Sequence, residues 1–415
     1  MSTSTSLLRD RDFVLFAGGQ GVSALGDALS KTALPLLVLA ITGSGLHMGI
    51  IAMLNALPLL VLGVPAGAWA DRMDRRRMML WSDVGRALLV ALVPLAVVLD
   101  IPLLPVLYAI AVPIGVLYAV FEAACLSCVP ALVGRERLGE ANSLLSIGNA
   151  LGFVIGPSLA GVLMATVRGG LTLAVDALTF AVSALTLMFI RRPLQEAAQR
   201  PTGPMGDQIR EGLVFIRGHR LLRSTVLYWS AITFLTSPII ICATFFLRVD
   251  LGWSPRILGL IIATYAGGAI VGALVASRLR QAAGLMMFGG TVVGGVALLV
   301  LSVASWLPLT LGVAVLAGMG EAVAGIFYTT LRAQLTPDEL LGRVTTTVQV
   351  ATFGLRPLSV FVAGVALELT SGAATLATIG VACLLVSALF AWRNNLFQPR
   401  TAAVPTPTER ASKAG

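Results

Sequence analysis

Twelve long apolar stretches run through the chain and constrain its fold more than any other feature. They lie at 13–41, 47–70, 78–99, 103–128, 141–167, 170–190, 223–247, 256–277, 284–305, 308–331, 344–368 and 373–392. Each stretch has about the 20 residues that an α-helix needs to cross the hydrocarbon core of a bilayer. Inside that core every backbone amide must be hydrogen-bonded, and an α-helix achieves this within one segment. The sequence therefore predicts an all-α membrane protein with twelve transmembrane helices.

The overall composition agrees with a membrane protein. Hydrophobic residues make up 57% of the 415 residues and charged residues only 12%, whereas a soluble domain carries about 25% charged residues. This balance excludes an ordinary soluble enzyme and a disordered chain. The Lys31-Thr32 pair lacks the preceding glycine of a phosphate-binding loop, so we predict no ATP-hydrolysing module. Cys125 and Cys128 have no second cysteine pair and no nearby histidine, so we predict neither a metal site nor a cofactor.

A polar segment rich in Arg, Pro and Gly divides the apolar stretches into two sets of six. We therefore predict an N-terminal bundle at 1–190, a cytoplasmic linker at 191–222, a C-terminal bundle at 223–392 and a disordered tail at 393–415. Within the linker, residues 209–222 mix apolar side chains with Arg. This pattern is typical of an amphipathic helix on the inner membrane surface, although a plain linker would also fit.

The two sets of six stretches repeat each other's features. Glu122 and Glu321 lie in the fourth stretch of their respective halves, and Pro157 and Pro357 lie in the fifth. Parallel six-helix repeats are typical of transporters whose halves move about a site at the bilayer midplane. The sequence thus favours two pseudo-symmetric six-helix bundles with a cavity between them.

Basic residues are distributed unequally between the two sides of the predicted membrane. Of the 29 Lys and Arg residues, 23 lie in the termini, the linker and the loops on the same side. Three lie on the opposite side, and the last three, Lys31, Arg86 and Arg356, lie within apolar stretches. Since basic loops stay in the cytoplasm, both termini are predicted to be cytoplasmic. This topology also explains the net charge of +9 without a nucleic-acid partner.

The short turn between the second and third stretches carries a motif that can act as a conformational latch. Its residues are Gly67, Asp71, Arg72, Asp74, Arg76 and Arg77. The carboxylate can face a helix N-terminus and the arginines can bridge carboxylates, so the turn can hold one conformation and open in another. The motif resembles the Major Facilitator Superfamily signature Gly-x-x-x-Asp/Glu-Arg-x-Gly-x-Arg/Lys-Arg/Lys, with Asp74 in place of the second glycine. Because Asp tolerates a left-handed backbone better than most residues, we expect the turn to be preserved.

The fifth stretch carries a second motif, made of small residues at a spacing of four. Its residues are Gly152, Gly156, Pro157 and Gly161, with Gly148 one turn earlier. Small residues let two helices approach closely, and a proline removes one helix hydrogen bond and can bend the helix. The segment resembles the antiporter motif of the same superfamily, Gly-x-x-x-Gly-Pro-x-x-Gly-Gly, which is typical of exporters. Generic small-residue packing is the alternative.

The first stretch adds to this resemblance. Gly19-Gln20, Gly26-Asp27 and Leu34-Pro35 resemble the first helices of the macrolide-efflux-like and siderophore (enterobactin) exporters of the superfamily. The resemblance implies a monomeric secondary exporter in the bacterial inner membrane. It would carry amphiphilic small molecules by alternating access in exchange for protons and would bind membrane lipids. The fourth stretch lacks the Arg that several proton-coupled drug antiporters keep there, so their proton relay does not carry over.

Charged residues inside a membrane are costly and are functional candidates by default. Glu321, Glu122 and Asp27, in this order, are our candidates for a site that binds a proton or a cationic substrate group. Burial favours the neutral form of a carboxyl group, so each could exchange a proton during transport. Arg356 is predicted to pair with Glu321 or Glu122 across the halves. Lys31, four residues after Asp27, could instead neutralise that carboxylate.

The remaining candidates are uncharged or receive structural roles. Asp83 and Arg86 are expected near the inner interface, where they would join the latch, and Glu368 is expected to be solvated near the outer surface. A cavity for amphiphilic ligands combines apolar walls with a few polar groups. Side chains that could line it, or serve in helix packing instead, are Gln20, Ser23, Asn55, Asn142, Asn149, Phe234, Tyr265, Phe327, Tyr328, Gln349 and Phe353.

Three other classes of function stay open at this point. An importer or uniporter of a small metabolite would share the fold, although the antiporter motif disfavours it. An intramembrane protease is disfavoured because both histidines lie in predicted loops and Ala24 replaces the first glycine of the Gly-x-Gly-Asp pattern. A channel or receptor is disfavoured by the internal repeat and the latch.

Overall fold

A computed structural model describes residues 7–167, 169–195, 205–279 and 283–393 of the chain. Within these residues the protein is all-α, and twelve helical segments are long and apolar enough to cross a membrane. The prediction of twelve transmembrane helices is thereby confirmed. The N-terminal six spans are α1 (Arg11–Thr42), α2 (Gly45–Arg72), α3 (Arg75–Val98), α4 (Leu103–Val133), α5 (Leu138–Thr166) and α6 (Leu173–Phe189).

The linker contains a helix, α7 (Met205–Gly218). It ends at Gly218, because the imidazole of His219 accepts a hydrogen bond from the Leu222 amide and caps the next helix. The predicted helix at 209–222 therefore extends too far, and the seventh span begins earlier than the predicted residue 223. Residues 196–204 of the predicted linker and 394–415 of the predicted tail lie outside the described residues.

Two of the C-terminal spans are broken into two helices each. The C-terminal helices are α8 (Arg220–Thr236), α9 (Ile239–Phe245), α10 (Pro255–Ala276), α11 (Ala283–Val303), α12 (Leu307–Gln334), α13 (Asp338–Phe353), α14 (Arg356–Leu369) and α15 (Gly372–Arg393). Helices α8 and α9 form the seventh span, and α13 and α14 form the eleventh. Pro238 and Pro357 lie at the two breaks, where a missing amide and a steric clash with the preceding turn interrupt the helix.

The linker helix is attached to the C-terminal bundle. Helix α7 packs against α13, the half of the eleventh span nearest the linker. A Cβ on Gly212 would lie only 2.7 Å from the carbonyl oxygen of Arg343, so the two helices touch backbone to backbone. Glu211 and Arg343 also form an ion pair. We call the side that carries α7 the inner side and the opposite side the outer side.

The two bundles meet at their outer ends. Helix α2 packs against α14, and α5 packs against α10. A Cβ on Gly49 would lie 2.7 Å from the Cα of Gly364, and one on Gly161 would lie 2.5 Å from the carbonyl oxygen of Pro255. Such distances leave no room for any side chain, so glycine is required on both helix pairs.

At the inner ends the contacts are different. Helix α13 packs chiefly on α7 and α8 of its own half, whereas α14, the outer half of the same span, packs on α2 of the other bundle. A Cβ added to Gly67 or Gly139, both near inner helix ends, would meet open space. The bundles therefore converge at the outer side and diverge toward the inner side, and we call this arrangement inward-facing.

Candidate transport site between the bundles

A first cavity of about 280 Å³ lies between the N-terminal bundle and the breaks of the seventh and eleventh spans. Its walls are mainly aliphatic, with Ile51, Leu59, Leu107 and Ile110 among the side chains. The charged side chains that line it are Asp27, Lys31, Arg86, Asp176 and Arg356. An apolar cavity with a few convergent charges suits a ligand that is mostly apolar and carries a polar or charged group.

A second cavity of about 420 Å³ lies inside the C-terminal bundle, among α8 to α12 and α15. Glu321 is the carboxylate that lines it, and Trp229, Thr233 and Tyr265 contribute aromatic and hydroxyl groups. The two cavities are neighbours because Ser237, Ile240 and Arg356 line both of them. Arg356, the first residue of α14, thus stands where the two cavities adjoin.

Glu321 lies in the middle of α12, where its side chain lines the second cavity and is not covered by other protein side chains. The helix around it is fixed by close packing, since a Cβ on Gly320 would lie 2.6 Å from the carbonyl oxygen of Gly290. Among the described residues, Glu321 has no ion pair or hydrogen bond. The predicted ion pair between Arg356 and Glu321 or Glu122 does not form here, although Arg356 and Glu321 line the same cavity.

Asp27 and Lys31 both line the first cavity but do not form the predicted i,i+4 ion pair among the described residues. The ammonium of Lys31 instead lies 5.2 Å from the ring centroid of Phe153 on α5. A cation held over an aromatic face leaves the neighbouring carboxylate free for other partners. The alternative role for Asp27, a structural ion pair with Lys31, therefore does not apply to this conformation.

Arg86 and Asp83 lie deeper than the sequence indicated. Both side chains are at most 1% exposed, and they form a buried ion pair within α3. The guanidinium of Arg86 lies 4.3 Å from each of the ring centroids of Phe121 and Phe180. Arg86 lines the first cavity, so the prediction that it lies beside the latch at the inner interface is wrong. A buried arginine between two aromatic rings is held in one orientation and keeps its charge at the cavity wall.

Asp176 is a cavity residue that sequence reasoning missed as a candidate. Its carboxylate accepts hydrogen bonds from Ser30 on α1 and from Thr179, the latter at 3.3 Å. One signal in the sequence pointed to this region. The three basic residues within apolar stretches, Lys31, Arg86 and Arg356, all line the first cavity. Basic residues inside a membrane protein need nearby acidic partners, so their positions mark the charged part of the site.

Glu122, the second-ranked candidate, is half-buried on α4 and lines neither cavity. It lies one helical turn after Tyr118, which does line the first cavity. Glu122 is within electrostatic range of Asp27, Lys31 and Arg86. It therefore belongs to the same charged group as the first cavity without facing its interior.

The uncharged candidates occupy different parts of the structure. Asn55 lines the first cavity and Tyr265 the second. Tyr328 packs in the core, where its ring stacks on Trp229 at 4.6 Å. The others that line neither cavity are buried Ser23 and Phe327, half-buried Phe234, Gln20, which accepts a hydrogen bond from Cys125, and exposed Asn142, Asn149 and Gln349. The side chains of Phe353 and of the latch residue Asp71 lie outside the described residues.

The turn between α2 and α3 binds the N-terminal bundle together. Asp74 has φ −65° and accepts a hydrogen bond from the Arg77 amide, so it caps α3 in an extended conformation. The expected left-handed backbone at this position is wrong. Arg76 donates hydrogen bonds to the carbonyl oxygens of Leu187 and Met188 at the end of α6. A guanidinium at a helix C-terminus is favourable because the last carbonyls are otherwise unpaired.

The other latch residues make fewer contacts in this conformation. Gly67 faces open space rather than a neighbouring helix. Arg72 is exposed and forms no ion pair with a described residue. Arg77 forms an exposed ion pair with Asp74 at 3.6 Å. The hydrogen bonds of the turn thus go to the N-terminal bundle and to Gln195 at the start of the linker, which donates to the Met73 carbonyl oxygen, as expected when the inner ends of the bundles are apart.

The antiporter-motif helix α5 packs on both bundles. A Cβ on Gly152 or Gly156 would come within 2.9 Å of α1 backbone atoms. On its other face, α5 touches α10: a Cβ on Gly259 of α10 would lie 2.3 Å from the carbonyl oxygen of Pro157. Gly161 contacts the same helix. The small residues therefore serve two purposes: they pack α5 within its own bundle and let it touch the other bundle at the outer side.

Comparison with known families agrees with this architecture. The family model described as "Major Facilitator Superfamily" matches residues 16–353, most of the chain. The protein belongs to the Major Facilitator Superfamily. It is thus a transporter rather than an enzyme, and its twelve apolar helices make it a multi-pass membrane protein. Members of this superfamily take small-molecule substrates, and the two cavities described above are where this chain offers space for one.

Several relatives carry the names of exporters. The multidrug efflux pump Tap of Mycolicibacterium fortuitum is 29% identical over 375 residues, which span 87% of this chain and 90% of Tap. The enterobactin exporter EntS of Citrobacter koseri is 27% identical over 333 residues, spanning 78% and 77% of the two chains. Among solved structures, a mutant of the nucleoside transporter NupG superposes with a TM-score of 0.78 at 11% identity, covering 91% of this chain and 99% of NupG. That likeness establishes the fold alone.

Proposed function

We propose that this transporter exports amphiphilic small molecules in exchange for protons. The observation that carries the proposal is the pair of adjoining apolar cavities with an unpaired carboxylate, Glu321, in one and a group of charges in the other. The apolar walls accept the hydrophobic body of a substrate. The carboxylate can hold either a proton or a positively charged substrate group, but not both.

The coupling follows from this competition. In the proposed cycle, water enters the second cavity in the inward-facing state and hydrates an ionised Glu321. When the inner side closes, water is lost and an ionised carboxylate without a partner becomes costly. A proton or a cationic group on the substrate removes that cost. The transition between states is then favourable with either ligand bound and unfavourable with neither, which is the condition for exchange.

The site residues take separate roles in this proposal. Glu321 is the exchange carboxylate. Asp27, Lys31 and Arg356 set the charge of the first cavity, and Glu122 modulates it from α4. The turn with Gly67, Asp71, Arg72, Asp74, Arg76 and Arg77 is the inner latch, which closes when the protein faces outward. The helix with Gly152, Gly156, Pro157 and Gly161 carries the bundle contact at the outer side.

The membrane and its orientation complete the proposal. We infer residence in a bacterial inner membrane, because the named exporters to which the chain is similar are bacterial. The excess of basic residues on the inner side supports a topology with the termini and α7 in the cytoplasm. Helix α7 would then lie at the lipid headgroups with its arginines. The functional unit is a monomer, since each chain has both bundles.

Dye efflux tests the proposal. Cells without other efflux pumps would express the wild type, Glu321→Gln or Asp250→Asn and be loaded with a lipophilic cationic dye. Asp250 is the matched control, because it is a C-terminal-bundle carboxylate that lines neither cavity and accepts a hydrogen bond from the Ala373 amide. We expect efflux by the wild type and Asp250→Asn, but loss by Glu321→Gln at equal protein level. A protonophore should stop the wild type as well.

Two outcomes would contradict parts of this proposal. Undiminished efflux by Glu321→Gln would remove that residue from the exchange step. No efflux of any dye by the wild type would favour the second candidate, a dedicated exporter of one natural product. That candidate is supported by the similarity to an enterobactin exporter over 78% of the chain.

A further inference from the structure

A contact at the outer side joins the two bundles through a carboxylate. Glu368 lies near the C-terminal end of α14, in the C-terminal bundle. Its Oε2 atom accepts two hydrogen bonds from the N-terminal bundle, one from the Ser44 hydroxyl at 2.7 Å and one from the Leu46 amide at 3.2 Å. Ser44 is the N-cap of α2, and its hydroxyl oxygen also accepts a hydrogen bond from the His47 amide.

The arrangement makes Glu368 part of the N-terminal cap of α2. The first amides of a helix have no partner within the helix and carry a partial positive charge. Ser44 satisfies one of these amides and Glu368 satisfies another. Charge-assisted hydrogen bonds of this kind are stronger than neutral ones. The cap is complete only while the two bundles touch, because Glu368 comes from the other bundle.

Close helix packing beside Glu368 shows when the two bundles are in contact. The Gly49 and Gly364 backbones are in contact one turn inward from the carboxylate, with no room for a Cβ on either residue. If the outer ends move apart, the glycine contact and the Glu368 hydrogen bonds are lost together. Glu368 is itself exposed, so water replaces its partners when the contact opens. A contact that opens at modest cost is suited to a gate that cycles.

We propose that Glu368 is a positioning residue of transport: by capping α2 across the bundle interface, it stabilises the inward-facing state and is released when the outer side opens. Glu368 is exposed at the outer side, as the sequence led us to expect, and its hydrogen bonds to the N-terminal bundle add a role that the sequence did not indicate. It also gives the outer side a counterpart to the turn between α2 and α3 at the inner side. The proposal does not depend on export, proton exchange or the nature of the substrate.

Cysteine labelling tests it directly. The four native cysteines would be replaced by alanine and a reporter placed at Ala52, which lines the first cavity on α2. A membrane-impermeant maleimide added from the outer side reaches the reporter only when the outer side is open. If opening is rapid and the open state is rare, the labelling rate is proportional to its population. Intact cells and inside-out vesicles are both labelled, so that the outer side is assigned by experiment.

We expect outer-side labelling to be about three- to tenfold faster in Glu368→Ala, because two hydrogen bonds and a helix-terminal charge are lost. Glu368→Gln keeps the shape and loses only the charge, so we expect a rise of about two- to fivefold. Ser44→Ala should add less than its own effect to Glu368→Ala, since both act on the same cap. Asp250→Asn is the control, because its carboxylate caps α15 within one bundle.

Each outcome decides for or against the proposal. Faster labelling in both Glu368 variants with an unchanged rate in Asp250→Asn supports it. An unchanged rate in Glu368→Gln and Glu368→Ala, with both proteins monodisperse after purification, overturns it. An equal rise in Asp250→Asn also overturns it, because the effect would then come from any lost helix cap at the outer surface. The dye assay can fail without changing these results, so the two proposals are tested separately.

Discussion

Replacing Gly161 by alanine should push the protein out of the inward-facing state. The added Cβ would lie 2.5 Å from the carbonyl oxygen of Pro255 and 3.1 Å from the Cα of Gly259, all backbone atoms of the other bundle. Backbone atoms cannot rotate away, so α5 and α10 must separate. Overpacking of this kind costs about 1–3 kcal/mol. The cost falls on the inward-facing state alone, because this contact is absent once the outer ends part.

That cost predicts a measurable change in population. A difference of about 1–3 kcal/mol corresponds to roughly 5- to 150-fold in the ratio of the two states. Outer-side labelling of a cysteine at Ala52 should rise by a factor in this range until the outward-facing state dominates. Gly148→Ala is the matched control on the same helix, since its Cβ would lie 3.6 Å from the nearest described atom, an ordinary contact. Its labelling rate should equal that of the parent.

A second control separates gating from folding. A Cβ on Gly156 would lie 2.8 Å from the Cβ of Ala28, within the same bundle. Gly156→Ala should therefore lower thermal stability without favouring either state. If Gly161→Ala is folded and labels at the parent rate, the α5–α10 contact does not close the outer side. The inward-facing interpretation of the structure would then be wrong at this helix pair.

Three further predictions concern the bundles and the linker. Arg86→Met should lower the free energy of unfolding by about 3–5 kcal/mol in a thermal-unfolding assay, because it leaves the buried Asp83 carboxylate without its partner. The double variant with Asp83→Asn should recover most of that loss. If it recovers none, the buried ion pair is not the cause. Arg76→Ala should lower the free energy of unfolding by about 1–3 kcal/mol in the same assay, because two carbonyl oxygens at the end of α6 lose their hydrogen-bond donor. An unchanged midpoint of unfolding would show that water replaces the arginine as donor. Glu211→Gln removes an exposed ion pair and should lower the free energy of unfolding by less than about 1 kcal/mol. Gly212→Val should instead detach α7 from α13 and increase protease cleavage in the linker. Equal cleavage of the two variants would refute the backbone contact between these helices.

Hydrophobic patterning was sufficient to predict the fold, but depth in the membrane was harder to judge. Arg86 follows Arg75, the first residue of α3, by eleven positions, which places it about 16 Å along the helix axis. Counting from residue 78, the start of the apolar stretch, placed it nearer the inner interface. The basic turn residues Arg75 and Arg76 are helical in the structure, so the helix begins earlier than its apolar part. Apolar patterning predicts where a helix crosses the membrane, not where it starts.

Contacts between bundles could not be predicted from sequence. Glu368 and Ser44 are separated by 324 positions, and no pattern links them. Their pairing depends on which helix ends meet in a given state, and that is a property of the arrangement of the bundles. The same reason explains the unpaired Glu321 and Arg356. Their opposite charges favoured a pair, but in the inward-facing state they line a common cavity without touching.

The contrast between the two cavities bears on how exchange would work. In the first cavity, Asp27 and Asp176 share space with Lys31, Arg86 and Arg356, so opposite charges offset one another. In the second, Glu321 is the only carboxylate that lines the cavity among the described residues, and Arg356 stands where the two cavities adjoin. A change in the distance between the Arg356 guanidinium and Glu321 would change the electrostatic potential at that carboxylate. Arg356 begins α14 and Glu368 lies near its outer end, so a movement of α14 that brings Arg356 closer to Glu321 would lower the affinity of that carboxylate for a proton or a cation. In the proposed cycle, the hydrogen bonds of Glu368 and the carboxylate of Glu321 would thus be linked through α14 and Arg356, without a separate relay.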